Sequence, residues 1–266
     1  MINVIQIKHA SIAVHDAEAC SYLNDLINLS DEFIIPNALD ADSFRSLEHK
    51  INLEISNSAL GLKLIWHREG EKPLNFSLDF VKVAKQVRSF PAPKQGAFNQ
   101  ALGKKSKTII DATGGWGGDA LLMFLQGYHV IIIERLPIMA VLLSDAFDRL
   151  TQTLCNSIGI GDNQLVAPEV LCGDALTVLQ QNKFSADCVY LDPMFPPKRK
   201  KSAATNKHMQ LLQWLAGTDD DASDLAAYAA QQYPRLTVKR PDYAQPLLAK
   251  PNVQFSSKLV HYDVYL

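Results

Sequence analysis

From Lys107 onward, short apolar runs alternate with longer stretches whose apolar positions recur at helical spacing. The runs predict strands over 108–111, 129–134, 168–172, 187–191 and 235–239. The stretches between them predict helices over about 118–126, 137–151, 175–181, 206–216 and 221–232. Two later apolar runs, 253–255 and 259–266, have no helix between them and predict an antiparallel pair. This order implies an α/β fold, a doubly wound, Rossmann-like and mostly parallel sheet of seven strands. Upstream the pattern changes. Residues 4–7, 51–55, 60–66 and 76–80 are short β-branched stretches, the later ones separated by turn-forming residues, and they predict a small antiparallel sheet. Residues 16–29 carry helical spacing instead. The chain thus reads as a small N-terminal, mainly β, α+β subdomain over 1–85, a connector over 86–106 stiffened by Pro91 and Pro93, and a main domain over 107–266.

Ligands of such sheets bind beyond the carboxyl ends of the strands. Asp111, Glu134, Asp174 and Asp192 all fall at or just past those ends. The first strand runs into Asp111-Ala112-Thr113-Gly114-Gly115-Trp116-Gly117-Gly118-Asp119, a glycine-rich turn that feeds a helix. Glycines such as Gly115 and Gly117 let backbone pass close to a ligand at a helix N-terminus. They suit a nicotinamide dinucleotide and S-adenosylmethionine equally. Asp111 favours the second, because it would repel a diphosphate and attract the cationic methionine end of S-adenosylmethionine. Glu134 is placed to accept both ribose hydroxyls. Asp174 is a candidate for the adenine amine and, equally, for a helix N-cap.

After the run ending at Leu191 the chain reads Asp192-Pro193-Met194-Phe195-Pro196. An acid, a proline and an aromatic at this point suit methyl transfer to an exocyclic amine on a flat ring. The lone pair of such an amine is delocalised into the ring. A carboxylate (Asp192) and a backbone carbonyl (Pro193) accepting its two N–H groups would localise that pair. Phe195 offers a face for the base to stack on. The plain alternative is an Asp-Pro turn with Phe195 in the core.

Together with Glu134-Arg135 and Val238-Lys239-Arg240-Pro241-Asp242-Tyr243-Ala244, these motifs resemble the bacterial ribosomal RNA small subunit methyltransferase J family, over about residues 75–266. The resemblance implies a class I methyltransferase that uses S-adenosylmethionine to methylate the N2 amine of a guanosine in 16S ribosomal RNA. It implies cofactor contacts at Gly118, Asp119, Glu134, Arg135, Asp174, Ala175 and Asp192. The chain departs from the family pattern at Gly118, where an arginine is usual. It departs again over 86–96, usually rich in arginine and glycine, and after Pro196, where Pro197-Lys198-Arg199-Lys200-Lys201 stands.

Charge and composition narrow the partners. A formal net charge of -2 is not that of a protein that coats nucleic acid, but the basic residues are clustered. Lys198, Arg199, Lys200 and Lys201 follow the acidic-aromatic motif directly, and Lys239 and Arg240 close the fifth strand. All six are candidates for gripping RNA phosphates beside a flipped base. The expected partner is small-subunit ribosomal RNA or the 30S particle. No apolar stretch approaches the roughly 18 residues of a membrane span. The four cysteines have no metal-like spacing and methyl transfer needs no metal, so the expectation is a metal-free, cytoplasmic monomer. Three other readings stay open. The acceptor could be a DNA adenine or cytosine or a protein glutamine, the domain could bind cofactor and RNA without turnover, or it could be a nicotinamide oxidoreductase.

Overall fold

The computed structural model describes residues 3–7, 10–14, 53–58, 61–67, 70–86, 89–158, 165–194, 207–216 and 221–266. In chain order the described elements are β1 (Asn3–Ile7), β2 (Ala10–Val14), β3 (Leu53–Ser58), β4 (Gly61–Trp66), β5 (Leu74–Ser77), α1 (Phe80–Ala84) and α2 (Gly96–Leu102). Then come β6 (Thr108–Asp111), α3 (Gly118–Leu125), β7 (His129–Glu134), α4 (Pro137–Ile158), β8 (Glu169–Cys172), α5 (Ala175–Gln181) and β9 (Cys188–Leu191). The chain ends in α6 (Lys207–Ala216), α7 (Ala222–Gln232), β10 (Leu236–Pro241), β11 (Val253–Ser256) and β12 (Val260–Tyr265). Two compact units result, one from Met1–Val83 with Leu136–Ala167, the other from Ala84–Arg135 with Pro168–Leu266.

The first unit holds a five-stranded sheet in the order β1-β2-β3-β4-β5. The expected antiparallel pattern holds for three of its pairs, but β2 and β3 run parallel, and β2 (Ala-Ser-Ile-Ala-Val) is a strand that the sequence reading does not include. The apolar run over 76–80 does not stay extended. It leaves the sheet at Ser77, and Asp79 then accepts the Lys82 N–H at 2.9 Å where α1 begins. The predicted helix over 16–29 lies outside the described residues. Helix α4 belongs to this unit and runs seven residues beyond the expected end at 151, to Ile158. Its Asp145 accepts the Leu62 N–H at 3.1 Å and the Arg149 guanidinium at 2.8 Å, while Arg149 also donates to the Leu78 carbonyl at 3.0 Å. A side chain at Gly61 (φ +91°) would run into that guanidinium.

In the second unit seven strands form one sheet, β11-β12-β10-β9-β6-β7-β8. The run β10-β9-β6-β7-β8 is parallel and the β11–β12 edge antiparallel, as the alternation of elements predicts. One face is sealed by apolar side chains. Ile110, Val189, Leu191 and Val238 from the strands pack with Leu179 of α5 and Leu225, Ala226 and Ala229 of α7. Helix α2 lies inside the stretch read as a connector, and it explains the other face. Phe98 stands edge-on to Tyr190 at 5.7 Å between ring centroids and contacts Tyr262 at 5.8 Å. The Ala101 carbonyl accepts the Thr237 hydroxyl at 2.8 Å.

Register determines what reaches the sheet's carboxyl edge. Asp111 pairs with Tyr190, and Tyr190 pairs with Thr237. Side chains alternate along a strand, so Asp111, Tyr190 and Lys239 emerge on one face, and Ile110, Val189 and Val238 on the other.

Candidate functional site

The turn after β6 is built by its own backbone and by two acids. Gly114 N–H donates to the Ile133 carbonyl (3.1 Å) and Gly117 N–H to that of Gly114 (2.8 Å). Gly117 caps α3 with φ +70° and Gly115 has φ +52°, left-handed conformations that explain glycine at both places. Glu134 Oε2 accepts the Gly115 N–H at 2.6 Å, so the acid ending β7 also holds the turn. Asp111 Oδ1 accepts the Thr113 N–H at 3.1 Å. Burial, followed by the like charge of Asp119, pushes the Asp111 carboxyl up to about 7.

A second polar cluster joins this turn to the segment after β9. Thr113 Oγ1 accepts the Asp192 N–H at 2.7 Å. Lys239 Nζ donates to Asp119 Oδ2 at 2.7 Å and to Asp192 Oδ2 at 2.8 Å. The hydroxyl of Tyr190, a fully buried residue, donates to the same Asp119 oxygen at 2.6 Å. Burial works to lower the pKa of Lys239, but Asp192 and Asp119 outweigh it and hold it above the usual lysine value. Burial, with Asp119 and Asp192 beside it, raises Tyr190 well above the ordinary tyrosine range, so its hydroxyl stays protonated.

These groups line one cavity of about 350 Å³, in the range of small-molecule sites. Asp111, Gly115, Gly117, Gly118 and Asp119 line it from the glycine turn, and Glu134 and Arg135 from the end of β7. Asp174 and Ala175 enter after β8, Asp192 and Pro193 after β9, and Lys239 from β10. Asp174 caps α5, accepting both the N–H (2.8 Å) and the hydroxyl (2.7 Å) of Thr177. Arg135 stands 3.9 Å from Asp221, which also lines the cavity. A Cβ at Gly118 would meet nothing within 4 Å, so no packing demands glycine there. Arg240 is not among the lining residues; its Nε donates to the Gln245 carbonyl at 2.9 Å. Phe195, Lys198, Arg199, Lys200 and Lys201 lie outside the described residues.

Chemically, the cavity combines left-handed backbone against a helix N-terminus with acids distributed along its length. Asp111, Glu134 and Asp174 can meet a cation, a diol and an amine in that order, which is the donor and charge pattern of S-adenosylmethionine. Asp192 and the Pro193 backbone stand at the same cavity. Among the described residues no group of three or more His, Cys, Asp or Glu side chains could hold a metal ion, and no helix is long and apolar enough to cross a membrane. Cys155, Cys172 and Cys188 are free and buried; burial pushes the thiols of Cys172 and Cys188 up to about 12.

Two participants escape a reading of the sequence, and a third is read there for another role. Thr113 is one small polar residue in a glycine turn, and only the Asp-x-Thr spacing hints at its bond back to Asp111. Tyr190 sits inside the apolar run of β9, where an aromatic signals core. Lys239 sits beside Arg240 and reads as one half of a basic pair, although strand alternation sends the two to opposite faces.

Comparison with known proteins places the chain among methyltransferases. Residues 42–266 match the family model described as "Putative SAM-dependent methyltransferase". The chain is 36% identical over 198 residues to Ribosomal RNA small subunit methyltransferase J of Legionella pneumophila (strain Lens), covering 72% of this chain and 77% of that protein. It is 36% identical over 265 residues to the protein of the same name from Hydrogenovibrio crunogenus, covering 87% and 93%. With that of Pseudoalteromonas translucida it shares 40% over 199 residues, covering 71% and 76%. The crystal structure of a SAM-dependent methyltransferase from Neisseria gonorrhoeae has the same fold, with a TM-score of 0.61 at 24% identity over 96% of this chain and 95% of that one.

Proposed function

The chain belongs to the ribosomal RNA small subunit methyltransferase J family of SAM-dependent methyltransferases, and from that membership we propose that it methylates the exocyclic N2 amine of a guanosine in small-subunit ribosomal RNA. S-adenosylmethionine supplies the electrophilic methyl group, carried on a sulfonium. The observation that most supports the acceptor chemistry is the Asp192 carboxylate at the cavity, with its backbone anchored to Thr113 and one oxygen on Lys239.

In this reading Glu134 takes the ribose hydroxyls, Asp174 with Ala175 the adenine end, and Asp111 the cationic methionine end. Gly115, Gly117, Gly118 and Asp119 shape the turn around the methionine, and Arg135 flanks the ribose. Asp192 and the Pro193 carbonyl accept the two amine N–H groups, which localises the lone pair toward the methyl carbon. Phe195 stacks on the flipped base. The methylated amine is a strong acid and gives its proton to solvent, so the site requires no strong general base. Arg240 and the run Lys198, Arg199, Lys200 and Lys201 supply RNA phosphate contacts. The protein acts as a cytoplasmic monomer on the RNA or on the 30S particle.

The test is methyl transfer from labelled S-adenosylmethionine to small-subunit RNA and to 30S particles, with the modified nucleoside identified by mass spectrometry. N2-methylguanosine is expected with the native protein. Asp192→Ala should lose about 100-fold or more of turnover while S-adenosylmethionine affinity stays within about tenfold. A methylated adenosine or cytidine, or turnover that survives in Asp192→Ala, would overturn the reading.

A further inference from the structure

Lys239 stands where two halves of the site meet. Its Nζ is within hydrogen-bond distance of Asp119, in the first turn of α3, and of Asp192, the first residue past β9. Its side chain is 23% exposed, against 27% for Asp119 and 37% for Asp192, so water screens the trio only in part. The other groups that interact with this pair of carboxylates are acids or potential acids: Asp111 from β6, Tyr190 from β9 and Tyr262 from β12, the last of which also feels Lys239. Asp174 and Asp221 line the same cavity further along, where Arg135 is the other cation.

Building on the function proposed above, we infer that Lys239 is a positioning residue for methyl transfer, not an RNA phosphate contact. Its ammonium fixes the rotation of the Asp192 carboxylate through Oδ2 and keeps that carboxylate ionised for the acceptor amine. A phosphate would have to compete with two carboxylates already on the ammonium. Without the cation, Asp192 and Asp119 would repel each other, and the surrounding acids would favour the protonated carboxyl at Asp192. A protonated Asp192 offers one fewer acceptor to the amine.

The experiment uses the full chain with Lys239→Met and Lys239→Gln, the second of which keeps a hydrogen-bond donor but not the charge. Three quantities are read: kcat and KM across pH 5.5 to 9, S-adenosylhomocysteine affinity by calorimetry, and RNA affinity against salt. Both variants should lose about 100-fold in kcat, and the acidic limb of the rate profile should move up by about one pH unit. RNA affinity and its salt slope should stay at the native values, and S-adenosylhomocysteine affinity within about tenfold. If the Met variant does not fold, the Gln variant is read in the same way. An unmoved acidic limb in a folded variant overturns the inference. So does a loss confined to RNA affinity with a flattened salt slope, which would make Lys239 a phosphate contact. Failure of the native protein to methylate any guanosine would defeat the proposed function and this inference with it. Native turnover with indifferent Lys239 variants would defeat the inference alone.

Discussion

The hydroxyl of Thr113 accepts the backbone N–H of Asp192 at 2.7 Å, so the turn after β6 carries the first residue beyond its sheet neighbour β9. Thr113→Val keeps the shape and removes the acceptor, leaving that N–H without its partner at a cost of about 1–3 kcal/mol. The expected result is a lower melting temperature together with a kcat reduced about tenfold or more, because the Asp192 backbone is free to shift. Thr113→Ser, which keeps the hydroxyl, should stay close to the native protein in both. Equal behaviour of the Val and Ser variants would mean that the bond does not hold Asp192.

Glu134 is asked to do two things at once. Its Oε2 holds the Gly115 N–H at 2.6 Å, and the proposed ribose contacts use the same carboxylate. Glu134→Ala should weaken S-adenosylmethionine and S-adenosylhomocysteine alike, by about tenfold or more. Glu134→Gln retains an oxygen for Gly115 and should lose less. Calorimetry with both ligands measures this, and equal losses in the two variants would remove the turn from the explanation.

Asp111 ties stability and affinity to pH. Its carboxyl is pushed up to about 7 in the folded chain, first by burial and then by Asp119, against an ordinary value of 3.8. The folded state therefore keeps a proton that the unfolded chain has already released. Stability from this group is full below about pH 4 and is lost as pH rises through about 7. Asp111→Asn should therefore melt about 3 °C or more above the native protein at pH 8, with the gap closing toward pH 5. Binding carries the opposite sign, because a cation in the cavity favours the ionised carboxylate. S-adenosylmethionine should bind more tightly at pH 8 than at pH 6, and S-adenosylhomocysteine, which keeps the α-ammonium but has a neutral sulfur, should show a smaller rise. Parallel rises for the two ligands would place Asp111 at the ammonium they share and not at the sulfonium, and flat profiles for both would remove it from the methionine end.

The parallel strands were readable because each is a compact apolar run, and four of the runs end at or just before an acid. Helix α2 was not. Its seven residues, flanked by prolines and glycines, are too few for a period to emerge; Phe98 is read as core from its aromatic ring alone, and only contact with the sheet reveals Ala101 and Leu102 as core. The late end of α4 has a similar cause. Thr151 and Thr153 read as weak helix formers, yet the Thr153 and Ser157 hydroxyls bond back to carbonyls four residues earlier and the helix continues. In the site, the acids at strand ends and the basic residue at the end of β10 were legible, whereas the ion pairs of Lys239 were not. Its partners, Asp119 and Asp192, lie far from it along the chain and meet it only through the sheet order.

That distance bears on how the enzyme comes into being. Synthesis is vectorial, and Asp119 and Asp192 are both made before β10. Until β10 docks beside β9, the two carboxylates have no Lys239 between them, and the wall of the cavity that β10 supplies is missing. The charge balance at this wall is therefore completed by a strand made after both of the acids it neutralises.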